Sequence, residues 1–125
     1  FVTATAALEE FWKDDSLTRK INRNARQVRD ALLDIAADHD AEVRGRGMIQ
    51  GIEFADHAVA SVISREAFSR GLIIETAGPN DEVIKTLPPL TIPDDLLIRG
   101  LEILADSTAV AIREPAYANE IRTAQ

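Results

Sequence analysis

Two histidines, a glycine-rich segment, scattered serines and one strand lysine are the groups in this chain whose types and spacing could do chemistry. His39 lies between Asp38 and Asp40, and His57 follows Asp56, so each has a carboxylate neighbour of the kind that metal sites use. Neighbours along a chain rarely converge on one ion, however, and no third ligand stands at helical or hairpin spacing. Solvated histidines at helix boundaries are the better reading, and no metal is expected. Gly45, Gly47 and Gly51 invite comparison with a dinucleotide-binding loop. Their spacing is not G-x-G-x-x-G, and they lead into an apolar strand pattern instead of opening a helix. Arg44-Gly45-Arg46-Gly47 therefore reads as a turn in which glycine supplies backbone angles that other residues avoid. None of the serines occupies a strand-turn-helix elbow of the G-x-S-x-G kind. With no cysteine in the chain, disulfides, thiolate catalysis and cysteine-ligated zinc are excluded within it. Lys85, just ahead of Pro88-Pro89, remains. Judged by residue type alone, it is a solvated strand lysine.

The elements that must position these groups follow from period and punctuation. Residues 1–12 carry Ala4, Leu8 and Phe11 or Trp12 at helical spacing with no internal Gly or Pro, which predicts a helix. Asp14-Asp15-Ser16 supplies capping side chains, after which Leu17, Ile21, Ala25, Val28, Leu32 and Ile35 recur every three or four residues, the pattern of an amphipathic helix ending near Asp38. Met48, Ile49, Ile52 and Phe54 then form a short apolar run punctuated by glycine, as in a strand closely approached by other backbone. A third helix is predicted over His57 to Arg70, with Val59, Val62, Ile63 and Ala67 inward and Gly71 in the left-handed position that ends it. Leu72 to Thr76 and Val83 to Leu87 read as strands joined by the turn formers Gly78-Pro79-Asn80-Asp81. The proline pair stops the second of these strands. A last helix is expected from about Pro93 to Ala109, its start favoured by Asp94 and Asp95 at the positive end of the helix dipole. Beyond Arg113, Pro115 and a polar mixture suggest a mobile tail through Gln125.

Length and composition set the bounds. A chain of 125 residues with 46% hydrophobic content can build one core but not two domains. No apolar run could span a bilayer as a helix, and no basic-then-apolar leader stands at the amino terminus, so no membrane partner is expected. A formal charge of -7 would repel a nucleic-acid backbone unless the bases were gathered on one face. The local cluster Arg19, Lys20, Arg23, Arg26 and Arg29 is interleaved with Asp14, Asp15, Asp30 and Asp34, so it reads as a solvated mixed-charge face, and no nucleic acid is expected. The predicted fold class is α+β: a short, mainly antiparallel sheet with helices packed mostly on one face.

Two stretches, Val43-Arg44-Gly45-Arg46-Gly47-Met48-Ile49-Gln50-Gly51-Ile52-Glu53-Phe54 and the run from Arg70 to Asp95 through Gly78-Pro79-Asn80 and Lys85-Thr86-Leu87-Pro88-Pro89, resemble the carboxy-terminal small domain of the class III, pyridoxal-phosphate-dependent aminotransferases. The likeness runs from Phe1 to about Thr108 and is greatest to the branch that forms diaminobutyrate. It implies the small domain of the type I fold of such transferases. Residues 1–40 would be a helical segment leading from a large domain, 41–112 the small domain and 113–125 a tail. It also implies transfer of an amino group from L-glutamate to L-aspartate 4-semialdehyde in a cytoplasmic homo-oligomer, at least a dimer, that carries pyridoxal 5'-phosphate. In many relatives the position matching Lys85 holds an arginine that grips the α-carboxylate of 2-oxoglutarate or glutamate. Lysine offers a compact charge in place of a planar fork, and Lys85 is the substrate-carboxylate candidate. Gly78 and Asn80 could line the active-site mouth and present backbone donors, although a plain turn explains them equally well.

The family's cofactor-linking lysine, its aspartate partner of the pyridine nitrogen and its phosphate segment would all lie upstream of Phe1. Catalytic and cofactor-binding residues are therefore expected outside this chain. Alone it should neither hold the cofactor nor transaminate, and it should expose a face that promotes self-association. Phe1 opens in mid-pattern and Met48 is the only methionine, so the reading frame is expected to continue upstream. Two alternatives stay open: another class III ω-aminotransferase, and a free-standing α+β module that binds a small acid or a partner protein.

Overall fold

The computed structural model describes residues 1–113, which fold in the order α1 (Val2–Phe11), α2 (Ser16–Ala37), β1 (Ala41–Arg46), β2 (Ile49–Phe54), α3 (His57–Ser69), β3 (Glu75–Ala77), β4 (Val83–Thr86) and α4 (Asp94–Arg113). Apart from Arg113, which ends α4, the tail expected from the sequence lies outside the described residues. The four strands form one sheet in the order β1-β2-β4-β3, and every neighbouring pair is antiparallel.

The inward stripe of α2 is realised by Val28, Leu32 and Ile35, all buried. The Ser16 amide donates to Asp14 Oδ1 at 2.8 Å where this helix begins, and hydrogen bonds from Ser16 hold the Asp14 carboxyl below its ordinary range. Alternation along the strands sends Ile52, Phe54 and Ile84 to the same side, where they meet α2, Ala60, Val62 and Ile63 of α3, and Leu97, Leu104 and Ala111 of α4 in a single core. Ion pairs from Lys20 and Arg23 to Asp94 tie α2 to the start of α4.

Gly71 closes α3 as expected. With φ +91°, it lets its own amide donate to the Phe68 carbonyl at 3.0 Å and the Leu72 amide reach back to the Ala67 carbonyl at 2.9 Å. This reciprocal pair satisfies carbonyls that a helix end leaves orphaned. At the other end of α3, the Asp56 side chain accepts from the Ala58 amide at 3.1 Å.

Two expectations are corrected. Arg44-Gly45-Arg46 is not a turn but the end of a strand, β1, which pairs with β2 from Ala41↔Phe54 to Arg46↔Ile49. The turn itself is Gly47-Met48. Gly47, at φ +59°, takes the first of its two positions, where a hairpin matched to strand twist requires positive φ. Leu72 to Ile74 are not sheet residues either, and β3 is only Glu75–Ala77. The Leu72 amide is used to close α3, and the Ile74 carbonyl accepts from Ser64 Oγ at 2.8 Å, so neither group enters the ladder.

The first helix stands apart from this body. It buries no residue, and Leu8, Phe11 and Trp12 are exposed. Among the described residues, no helix is long and apolar enough to cross a membrane.

Candidate functional site

β3 and β4 fold back on one another about Asn80, with Glu75 opposite Lys85, Thr76 opposite Ile84 and Ala77 opposite Val83. Because successive strand residues face opposite sides, the burial of Ile84 and Thr86 beneath the helices puts Lys85 on the face of the sheet that carries no helix. Its ammonium Nζ lies 2.9 Å from Glu75 Oε2, with the lysine side chain 34% exposed and the glutamate 72% exposed. An ion pair so open to water contributes about 0–1 kcal/mol to stability. Its placement is the more informative property.

Across the sheet, one row on that face reads Glu75, Lys85, Gly51 and Arg44. Arg44 Nη2 is shared between Glu53 at 2.8 Å and Glu42 at 3.2 Å. The hydrogen bond and charge of Glu42, then the charge of Glu53, raise the guanidinium above its ordinary pKa. Arg44 is thus committed to two carboxylates, whereas Lys85 shares its charge with the single, mostly exposed carboxylate of Glu75. A Cβ at Gly51 would come within 2.8 Å of Val83 Cγ1, so this central position has to stay small.

The loop between β3 and β4 is knit internally. Buried Glu82 accepts from the Asn80 amide at 2.8 Å. Thr76 Oγ1 donates to Asp81 Oδ1 at 3.1 Å, and the Asp81 amide, on a backbone with φ +56°, donates to the Gly78 carbonyl at 3.3 Å. Gly78 has φ +92°, and a Cβ there would stand 2.7 Å from the Glu82 carboxyl carbon. The Asn80 amide, considered above as a donor to substrate, is therefore already engaged by Glu82.

Glu75 and Lys85 also line a cleft of about 420 Å³, which continues along Leu72, Ile73, Leu87, the proline pair and the inner side of α4. The other residues that line it are apolar except for Thr86, so Glu75 and Lys85 are the charged residues among them. A mostly apolar cleft with a few placed polar groups is the usual make-up of a small-molecule site.

Sequence reasoning singled out Lys85 but missed Glu75. The signal was available: a hairpin folded about Asn80 sets residues whose numbers are equidistant from it across from one another, and 75 and 85 carry opposite charges. The histidines do not contribute to this site. His57 opens α3, exposed, and His39 lies in the turn before β1. No group of three or more His, Asp or Glu side chains among the described residues could hold a metal ion.

The lysines of the chain do not fit a covalent pyridoxal phosphate site. Lys13 is exposed in the break between α1 and α2, Lys20 is paired with Asp94 and Lys85 with Glu75.

Comparison with known proteins supplies a wider frame. The family model described as "Aminotransferase class-III" matches residues 2–108. A diaminobutyrate--2-oxoglutarate transaminase of Bordetella parapertussis is 46% identical over 125 residues, 97% of this chain and 29% of that protein. Its counterpart in Halomonas elongata is 45% identical over 116 residues, 89% of this chain and 28% of that protein. Among solved structures, the N-acetylornithine aminotransferase of Stenotrophomonas maltophilia superimposes with a TM-score of 0.75 at 28% identity, covering 88% of this chain and 30% of the other. The chain spans less than a third of the length of each of these relatives.

Proposed function

This chain belongs to the class III aminotransferases, and from that premise we propose that it is the small-domain portion of a diaminobutyrate--2-oxoglutarate aminotransferase. The intact enzyme would move an amino group from L-glutamate to L-aspartate 4-semialdehyde, giving L-2,4-diaminobutyrate and 2-oxoglutarate. The observation that carries this reading is the 46% identity to a transaminase of that name across nearly the whole chain. Pyridoxal 5'-phosphate, the group that this family uses, would sit in the part of the protein that the chain does not include. The chain alone would then be inactive.

Within that frame, the chain's contribution is a substrate contact. Lys85 would take the α-carboxylate of glutamate or 2-oxoglutarate. Two features support the assignment: Lys85 is among the residues that line the cleft, and Glu75, its partner, is mostly exposed and so readily exchanged for a substrate carboxylate. The loop of Gly78 and Asn80 would shape the mouth of the site without donating its Asn80 amide. We read α1, which buries nothing, as the lead-in from the large domain. Residues 41–112 with α2 would form the small domain. A place in ectoine formation, a cytoplasmic location and assembly into at least a dimer accompany this reading.

The test is to express the intact enzyme and assay diaminobutyrate formation from L-glutamate and L-aspartate 4-semialdehyde. Lys85→Ala is expected to lower kcat/KM for 2-oxoglutarate by about tenfold or more, the loss of a charge-assisted contact. Absence of diaminobutyrate, with turnover of another ω-amino donor such as N-acetylornithine, would move the chain to a different branch of the family. An unchanged kcat/KM for 2-oxoglutarate in the Lys85 variant would remove the residue from the site.

A further inference from the structure

The helix-free face of the sheet holds a second carboxylate near Lys85, on the strand opposite to Glu75. Four positions of β2 and β4 form a square there: Gly51 lies directly across from Lys85, and Glu53 directly across from Val83. The two diagonals of that square cross. One joins Lys85 to Glu53, and diagonal neighbours in an antiparallel pair, about 7–8 Å apart, are within reach of a long side chain. The other joins Val83 to Gly51, where the valine leans so far across that a Cβ on the glycine would stand 2.8 Å from Val83 Cγ1. Gly51 is buried even though it has no side chain of its own, in keeping with a neighbour lying over it. The structure assigns Val83 as a positioning residue: its side chain fills the space over Gly51 through which the Lys85 ammonium would otherwise cross to Glu53.

This inference rests on the reading of Lys85 as the contact for the α-carboxylate of 2-oxoglutarate, and adds what keeps that contact available. Glu53 has capacity for a second cation, because its partner Arg44, at 2.8 Å, also holds Glu42 at 3.2 Å. Its side chain is 31% exposed, against 72% for Glu75, so an ammonium drawn to it would be less open to exchange with a substrate. Valine suits the blocking role because its branched Cβ leaves few χ1 rotamers and holds the γ carbons in place. It acts through Lys85 and touches no substrate.

The experiment measures KM for 2-oxoglutarate in the intact, cofactor-loaded enzyme, with whichever amino donor that enzyme turns over. Val83 is only partly buried, so Val83→Ala is expected to fold, and it clears the diagonal. It should raise KM by about threefold, the scale of one exposed charge contact, and leave kcat within about twofold of wild type. Val83→Thr keeps both γ positions filled and should leave KM unchanged. In a Glu53→Gln background the competing charge is gone, and Val83→Ala should no longer raise KM, a coupling that a double-mutant cycle reads. In a Lys85→Ala background it should likewise add nothing.

An unchanged KM in Val83→Ala overturns the inference. So does a rise that persists with Glu53→Gln or with Lys85→Ala, which would mean that the smaller side chain merely loosens β4. In these cases a response of KM to Lys85→Ala alone leaves the proposed contact standing. If Lys85→Ala has no effect on KM, the contact falls and the inference with it. The full pattern of responses, seen with an amino donor other than diaminobutyrate, would uphold the role of Val83 and overturn the proposed substrate.

Discussion

Replacing Gly78 by alanine separates backbone strain from a specific contact, because the structure supplies its own control. Gly78 and Gly71 have nearly the same backbone angle, φ +92° and +91°. A Cβ at Gly71 meets nothing within 4 Å, whereas one at Gly78 stands 2.7 Å from the Glu82 carboxyl carbon and 2.8 Å from both its oxygens. Forcing an L residue into the left-handed region costs about 1–2 kcal/mol at either site. The gain from a less flexible unfolded chain is common to both and cancels in the comparison.

At Gly78 a second loss is added. The Glu82 side chain has to swing away, and the hydrogen bond that it accepts from the Asn80 amide at 2.8 Å is broken. A bond to a charged group is worth about 1.5 kcal/mol at the low end of its range. Gly78→Ala should therefore destabilise by about 3 kcal/mol, and Gly71→Ala by about half that. Equilibrium urea unfolding followed by far-UV circular dichroism measures both. In a Glu82→Ala background the added Cβ meets no carboxylate, and the cost of Gly78→Ala should fall to that of Gly71→Ala, a coupling of the kind a double-mutant cycle reads. Equal losses for the two glycine variants, or no coupling to Glu82, would refute the claim that this contact fixes the loop beside the cleft.

Other outcomes follow from the core and from the first helix. Ile84 is fully buried at the centre of the sheet, so Ile84→Ala should cost about 2–5 kcal/mol in the same unfolding assay; a loss below about 1 kcal/mol would mean that the helices collapse onto the gap. Leu8 and Phe11, on a helix that buries nothing, and Trp12 directly after it are exposed. Changing all three to glutamine should reduce self-association of the chain in sedimentation experiments while leaving the helical signal of the main body in place. Persistence of the same association would locate the sticky surface elsewhere, with the exposed Ile73, Leu87 and Leu96 beside the cleft next in line.

How far the sequence could be read depended on whether an element's evidence was local. Three long helices were legible because period, caps and stop signals agree within each segment: Val28, Leu32 and Ile35 on α2, Asp56 and Gly71 at the ends of α3, Asp94 and Asp95 opening α4. β1 was not, because its sole apolar inward residue between two charges is Val43, and its last positions, Gly45 and Arg46, look like turn material. What makes it a strand is its partner β2. The opposite error affected Leu72-Ile73-Ile74, whose β-branched run has every local mark of a strand. The helix ahead of it takes the Leu72 amide, and pairing begins only at Glu75.

The same division explains the candidate site. Lys85 drew attention as a cation in a distinctive strand-proline context, whereas Glu75 acquires meaning only from register. Antiparallel pairing converts sequence distance into contact, and the five residues from Gly78 to Glu82 place the glutamate directly across from the lysine. A one-residue change in that loop would shift the register and send one of the two charges to the other face. The internal hydrogen bonds of the loop, from Thr76 to Asp81 and from the Asn80 amide to Glu82, therefore serve the pair as much as the turn. They fix the loop geometry on which the cross-strand alignment of a negative and a positive charge depends.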